Sequence, residues 1–151
     1  MGYILAPERL TSGIRKMHDF LTVGAPAPLQ EAAAVALALP DSYYEGLRKI
    51  YLAKKDLLWG ILTEAGFDPY RPQGAYYILC NLDRFGCEND VEFARYLVQE
   101  VGVAAVPGSS FYHEPGLGRN QIRFTFSKKE ETLLAAGQRL KKVHGRLKTS
   151  S

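Results

Sequence analysis

NQIRFTFS, residues 120–127, is the stretch that decides the fold of this chain. Its apolar residues Ile122, Phe124 and Phe126 alternate with polar ones, and a period of two puts the two sets on opposite faces of a β-strand. The polar face carries Arg123, whose planar guanidinium has five N–H donors and suits paired hydrogen bonds to a carboxylate. The strand therefore makes Arg123 a candidate for carboxylate binding, although on this run alone a solvent-exposed arginine is the more common case.

Helix signals dominate the chain before this strand. Pro7 opens a helix that ends near Gly24, a proline-containing loop covers residues 22–28, and an alanine-rich helix follows over residues 29–39. A long helix then runs from a capping box, Ser42 with Glu45, to Gly66. No strand pattern lies beside the first two helices. Residues 1–40 therefore suggest a helical piece cut from a larger domain.

Strands alternate with helices from residue 41 onward. A strand is predicted over residues 75–82, a helix from an Asn89/Glu92 cap to Gly102, and a short buried strand over residues 103–106. After the arginine strand, a capping box at Ser127 and Glu130 opens a closing helix with an apolar stripe that ends at Leu147. This alternation predicts an α/β fold in which a short sheet is packed by helices in two layers.

Composition excludes several classes of function. The 151 residues include 46% hydrophobic ones, enough for a core, and the net charge of +3 comes from 19 basic and 16 acidic residues that are interspersed. The chain has no strong basic field of the kind that would predict a nucleic-acid partner. No apolar run reaches membrane-spanning length, and we expect no targeting signal in the residues shown. We therefore expect a cytoplasmic protein in which Cys80 and Cys87 are reduced thiols.

The remaining chemistry-bearing residues give weak signals. Asp83, Glu88 and Asp90 are interpreted as a solvated connection before the Asn89 cap, and no metal site is predicted. The three histidines are scattered, and a histidine on a helix face or loop is more often structural than catalytic. A Cys80/His113 nucleophile pair is conceivable, but no local motif supports it.

Five motifs, taken in order, resemble a known family. They are Gly2-Tyr3, Ala25-Pro26-Ala27-Pro28-Leu29-Gln30-Glu31-Ala32, Pro72-Gln73-Gly74-Ala75-Tyr76-Tyr77, Val106-Pro107-Gly108-Ser109-Ser110-Phe111 and Ile122-Arg123-Phe124-Thr125-Phe126-Ser127. No single motif is specific, but together they extend over essentially the whole chain. In this order the chain resembles the C-terminal part of a class I/II aminotransferase of fold type I, which depends on pyridoxal phosphate.

The resemblance implies a domain organisation and several site residues. Residues 1–40 would be a remnant of the large cofactor-binding domain with the interdomain segment, and residues 41–151 would be the small C-terminal domain. Arg123 matches the arginine that binds the substrate α-carboxylate. Further positions match segments near the pocket: Thr22, Val23 and Gly24 in a loop that reaches the neighbouring subunit of a homo-oligomer, and Gly74 and Tyr76 beside the pocket mouth. The alternatives are an ordinary proline loop and core aromatics.

The cofactor machinery of the family is missing from the sequence. The family's lysine that forms an imine with pyridoxal phosphate has no match here, because the lysines of this chain fall on charged helix faces or at caps. The intact enzyme would use pyridoxal phosphate, an amino acid and a 2-oxo acid, whereas this chain alone is expected to contain no catalytic residue and to bind no cofactor. The rival interpretation is a catalytically inert module that dimerises or binds a carboxylate. Amino-acid specificity is not readable, because in the family much of that pocket comes from preceding residues.

Overall fold

The chain contains two compact units, Met1–Gly46 and Leu47–Ser151. The computed structural model describes residues 1–146, with side chains described through Val143. Leu147, at the end of the predicted closing stripe, lies outside the described residues. In the described part of the chain, no helix is both long and apolar enough to span a membrane.

The first unit is helical. Helix α1 covers Glu8–Thr22 and helix α2 covers Ala27–Leu37. The predicted loop over residues 22–28 is therefore too long. Pro28 lies in the first turn of α2, where its missing N–H removes no intrahelical hydrogen bond. None of the residues of α1 or α2 is buried, so these two helices contribute no core of their own.

Helix α3, Asp41–Glu64, runs from the first unit into the second. It begins one residue before Ser42, so the predicted capping box is wrong and Ser42 lies in the first helical turn. The acidic residue in this turn is Asp41, whose charge interacts favourably with the unpaired N–H groups at the start of a helix. The helix end near Gly66 is confirmed, and Gly66 has a positive φ of 86°.

The second unit contains a four-stranded antiparallel sheet. Its strands are β1 (Asp68–Pro69), β2 (Tyr77–Asn81), β3 (Val106–Pro107) and β4 (Gln121–Thr125), in the spatial order β1-β2-β4-β3. Arg123 on β4 pairs in register with Leu79 of β2 on one side and Val106 of β3 on the other. The arginine thus lies in the middle of the sheet, on an inner strand.

Helices complete the second unit. Helix α4, Asp90–Tyr96, continues as a π-helical turn over Leu97–Val101, and helix α5, Glu130–Leu140, is followed by a 3₁₀ turn over Lys141–Arg146. The predicted cap of α4 is confirmed: the Asn89 side chain accepts a hydrogen bond from the Glu92 N–H at 2.9 Å. The cap predicted for α5 is wrong. Lys129 occupies the N-cap position without a side-chain hydrogen bond, while Ser127 pairs with Thr125 at 2.8 Å between their hydroxyl oxygens.

The core lies against one face of the sheet. Ile78 and Cys80 of β2 and Ile122 and Phe124 of β4 are buried on this face. Helices α3, α4 and α5 add buried apolar residues to the same core, namely Leu58, Leu62, Phe93, Ala94, Leu133 and Leu140. The predicted α/β fold, with a short sheet packed by helices, is confirmed in this unit. The assignment of its residues to a small C-terminal domain stays a prediction.

The third strand departs from its prediction. The sequence predicts a buried strand over residues 103–106, but only Val106–Pro107 pairs with β4, and Val106 is 36% exposed. Val103 and Ala105 pack against the core without joining the ladder. The small apolar side chains of this run therefore indicate partial burial and not strand pairing. A short apolar run in a sequence cannot distinguish these two cases.

The exposed apolar side chains of the first unit predict self-association. Phe20 is 91% exposed and Leu21 is 73% exposed on α1, and contiguous apolar surface favours contact with another surface. We expect light scattering of the purified chain to give a mass above the 16.8 kDa of one copy, and replacing both residues by Ser to lower it.

Leu134→Ser provides the matched control, because Leu134 is an exposed leucine of the second unit. It should leave the mass unchanged. A monodisperse monomer whose first 40 residues resist proteolysis would contradict self-association through this unit.

Candidate functional site

The face of the sheet opposite the core carries Arg123. Burial alternates along β4, with Ile122 and Phe124 buried and with Arg123 between them half-exposed, which confirms the predicted two-residue period. On β2, Tyr77 and Leu79 are half-exposed on the same face. The guanidinium is therefore neither buried in the core nor displayed on a fully exposed surface.

Two aromatic rings hold the guanidinium. Its Cζ atom lies over the ring of Tyr77 at 4.7 Å from the centroid and over the ring of Phe111 at 4.2 Å. Tyr77 is a diagonal neighbour on β2, because Leu79 is the direct partner of Arg123 in the ladder. Phe111 ends the 3₁₀ turn Gly108–Phe111, which follows β3. Both contacts are within the range of favourable cation–π interactions.

A cavity of about 160 Å³ opens beside this arginine. Its lining consists of Tyr77, Leu79, Phe111, Tyr112, Gln121 and Arg123. Among the described residues, no carboxylate forms an ion pair with Arg123 and no side-chain hydrogen bond engages it. The site thus combines a positive charge, unused N–H donors and apolar walls, a combination suited to a small carboxylate with an apolar neighbour.

Larger cavities lie elsewhere in the second unit. One of about 510 Å³ borders α5 and the segment Gly102–Ala104, and its walls are mostly apolar. Its Arg139 already donates a hydrogen bond from Nη1 to the Gly102 carbonyl at 2.9 Å. The Arg123 cavity is a better candidate for a ligand site than this one, because the Arg123 side chain has no hydrogen-bond partner among the described residues.

The turn that carries Phe111 is fixed by a buried carboxylate. Asp90 is 1% exposed, and its Oδ2 accepts a hydrogen bond from the Ser109 N–H at 2.7 Å. The Asp90 N–H in turn donates to the Arg119 carbonyl at 2.9 Å. The prediction that Asp90 belongs to a solvated connection is therefore wrong. A run of acidic residues before a helix cap gives no signal of burial, because the partner amide lies 19 residues away.

Two glycines bring the ends of this loop together. A Cβ added at Gly108 would lie 2.5 Å from the Gly118 carbonyl oxygen, and one added at Gly118 would lie 2.6 Å from the Gly108 carbonyl carbon. Gly118 also has a φ of +74°, which residues with a side chain rarely adopt. The Gln121 N–H donates to the Gly118 carbonyl at 2.9 Å and so joins the loop to the start of β4. Phe111, Tyr77, Asp90 and this glycine pair were not predicted as parts of the site.

The other predicted site residues lie outside the Arg123 cavity. Tyr76 contacts the ring of Tyr77 at 5.6 Å between centroids, so it is one ring away from the guanidinium. Gly74 lines a separate cavity of about 200 Å³ in the second unit. Thr22, Val23 and Gly24 belong to the first unit. Val23 follows α1 with a φ of 63°, an outlier for a β-branched residue.

The structure excludes a Cys80/His113 nucleophile pair. Cys80 is fully buried in the core, and desolvation, with a further contribution from the charge of Asp68, raises the pKa of its thiol far above the usual range. His113 is exposed. A thiol that stays protonated is a poor nucleophile.

The cavity residues do not fit pyridoxal phosphate by themselves. No lysine lines the Arg123 cavity, so no amine is available there for an imine. Its single basic side chain already serves as the candidate carboxylate site. Within the described part of the chain, no group of three or more His, Cys, Asp or Glu side chains could hold a metal ion.

Comparison with known proteins identifies the family. The model of the aminotransferase class I and II family matches residues 1–140. The chain belongs to this family. The predicted resemblance is thus confirmed at the level of the family.

Similar relatives include enzymes from bacteria and a slime mould. A methionine aminotransferase from Escherichia coli K12 is 38% identical over 143 residues, which are 95% of this chain and 37% of that protein. A kynurenine–oxoglutarate transaminase from Dictyostelium discoideum is 33% identical over an alignment of 164 residues, which covers 95% of this chain and 38% of that protein. The chain therefore spans well under half the length of the curated relatives it matches.

Comparison with solved structures also shows similarity to part of an aminotransferase. The N-succinyldiaminopimelate aminotransferase from Mycobacterium tuberculosis superposes with a TM-score of 0.81 at 34% identity, over 91% of this chain and 36% of that one. The small antiparallel sheet and its helices are thus similar to part of an aminotransferase structure.

The contact between Gly108 and Gly118 can be tested with a matched pair of substitutions. Gly118→Ala and Gly116→Ala both place an alanine at positive φ, but only the Cβ at position 118 meets other atoms within 4 Å. We expect Gly118→Ala to lower the free energy of unfolding by about 1–3 kcal/mol more than Gly116→Ala, because backbone atoms must move to admit the methyl group. Chemical denaturation measures the difference, and equal losses would contradict the close approach.

Proposed function

We propose that this chain is the C-terminal part of a pyridoxal-phosphate-dependent aminotransferase, which moves an amino group between an amino acid and a 2-oxo acid. Residues 1–40 belong in this proposal to the large cofactor-binding domain and the interdomain segment, and residues 41–151 form the small domain. Membership of the family and coverage of 37% of a relative's length support the proposal. The division of the chain after Gly46, close to residue 40, is consistent with it.

Arg123 binds the substrate α-carboxylate in this proposal. The observation that carries it is the guanidinium over two rings, beside a cavity, without a carboxylate partner among the described residues. Amino acids and 2-oxo acids share a carboxylate next to the reacting carbon, so one arginine can orient both substrates of a transamination. A planar fork fixes two carboxylate oxygens and therefore the direction of the substrate.

Other parts of the pocket come from the remaining segments. Thr22, Val23 and Gly24 contact the neighbouring subunit's cofactor pocket in a homo-oligomer. The positive φ of Val23 supports this role, because strained backbone conformations cluster at functional sites. The proposal assigns Gly74 and Tyr76 to the pocket mouth of the intact enzyme, and the contact between the rings of Tyr76 and Tyr77 supports the assignment of Tyr76. The intact enzyme supplies the lysine and holds the cofactor, and it works in the cytoplasm.

The chain by itself is expected to be inactive. The cavity beside Arg123 contains no lysine, and positioning alone does not replace a covalent step. Mixing the purified chain with pyridoxal phosphate should give no transaminase activity and no imine absorption band. A band that maps after borohydride reduction to one lysine, in stoichiometric yield, would overturn this expectation.

Replacing Arg123 by Lys tests the carboxylate role in the intact enzyme. Lysine keeps the charge but loses the planar fork, so the two hydrogen bonds to the carboxylate cannot both form. A charge-assisted hydrogen bond contributes about 1.5–3 kcal/mol, so kcat/KM for an amino acid should fall about tenfold or more. The same assay with the matching amine, which has no carboxylate, should show little change.

Arg84→Lys is the control, since Arg84 is exposed and does not line the Arg123 cavity. This substitution should change kcat/KM for neither the amino acid nor the amine. If Arg123→Lys lowers kcat/KM equally for the amino acid and the amine, or lowers neither, the exposed-arginine alternative holds.

A further inference from the structure

We infer that Phe111 is a positioning residue: with Tyr77 it holds the Arg123 guanidinium in place without using any of its hydrogen-bond donors, and Asp90 fixes Phe111 through Ser109. The identity of the ligand rests on the proposed function, but the positioning of the arginine does not. The sequence patterns place Phe111 in a family motif and Asp90 in a solvated connection, and they assign neither residue a role beside Arg123.

Aromatic rings hold an arginine differently from a carboxylate. A carboxylate would neutralise the charge and occupy N–H donors in the guanidinium plane. A ring attracts the cation through its π-face and accepts no strong hydrogen bond, so the charge and the in-plane donors stay available. With rings at 4.2 Å and 4.7 Å from Cζ, Arg123 is restrained while its donors remain free for an incoming carboxylate.

The two rings differ in how they are themselves held. Tyr77 is part of β2, whose ladder with β4 runs over five residue pairs, so its backbone is fixed by the sheet. Phe111 lies outside the sheet, at the end of a four-residue 3₁₀ turn, and is 47% exposed. Phe111 is therefore the ring whose position needs additional support.

Asp90 supplies that support at the start of the turn. Its hydrogen bond from the Ser109 N–H is 2.7 Å long and is formed by a side chain that is almost completely buried. Burial shields this hydrogen bond from competition by water, and the low local dielectric strengthens it. Together with the Gly108–Gly118 contact, it leaves the turn little freedom to carry Phe111 away from Arg123.

Side-chain NMR of Arg123 in the 151-residue chain tests the inference directly. Ring currents should shift the Arg123 side-chain protons upfield of those of other arginines, and Phe111 ring protons should give nuclear Overhauser effects to them. The Arg123→Lys spectrum identifies the signals. Phe111→Leu should reduce the shift, Phe111→Tyr should preserve it, and Asp90→Asn should reduce it in part.

Phe20→Leu is the matched control, because it makes the same change at an exposed phenylalanine of the first unit. It should leave the Arg123 signals unchanged. Titration with sodium pyruvate at constant ionic strength, followed through the same signals, should show affinity about two- to fivefold weaker in Phe111→Leu, the effect of one cation–π contact at an exposed site. Phe111→Tyr should restore it.

The outcomes separate positioning from ligand identity. The inference is overturned if the wild-type chain shows no Overhauser effect between Phe111 and Arg123, a result that does not depend on any variant folding. It is also overturned if Phe111→Leu folds but leaves the Arg123 shift unchanged. If the shift and its loss appear but pyruvate perturbs no Arg123 signal, Phe111 positions the arginine and the proposed carboxylate function fails.

Discussion

Burial of Ile122 and Phe124 on the core face of β4 is the constraint on which the rest of the second unit depends. Because successive residues of a strand point to opposite faces, burying these two side chains places Arg123 on the other face. A slip of one residue in the ladder would put a guanidinium into the core, at a cost far beyond the stability of a small domain. The position of the charge is thus set by hydrophobic packing on the far side of the same strand.

The loop between β3 and β4 converts this position into a site. Its first residues are held by the buried Asp90 and its last by Gly118, and it brings Phe111 over the guanidinium. The loop backbone approaches itself so closely at Gly108 and Gly118 that a methyl group would not fit. Rigidity in a loop of this kind favours binding, because less conformational freedom is lost when a ligand arrives.

The two units differ in what stabilises them. The second buries a continuous set of aromatic and aliphatic side chains, with the rings of Phe67, Phe85 and Phe93 in mutual contact. In the first, α1 and α2 bury no side chain, although α1 carries large apolar residues such as Phe20. Hydrophobic burial is the main favourable term in folding, so the first unit offers surface for contacts and the second offers a scaffold.

Sequence alone determined the features that depend on local periodicity and local hydrogen bonds. The alternation around Arg123, the Asn89 cap of α4 and the end of α3 near Gly66 all follow from residues a few positions apart, as does the family resemblance carried by ordered motifs. The capping boxes predicted at Ser42 and Ser127 are wrong, because each helix begins at a residue other than the one after the serine.

Tertiary structure decided the rest: the pairing of Val106 with Arg123, the burial of Asp90, and the position of Phe111 over the guanidinium. These features join residues 12 to 19 positions apart. The physical reason is that side-chain periodicity reports which face of an element is apolar, whereas the partner of a buried polar group is fixed only when distant segments pack together.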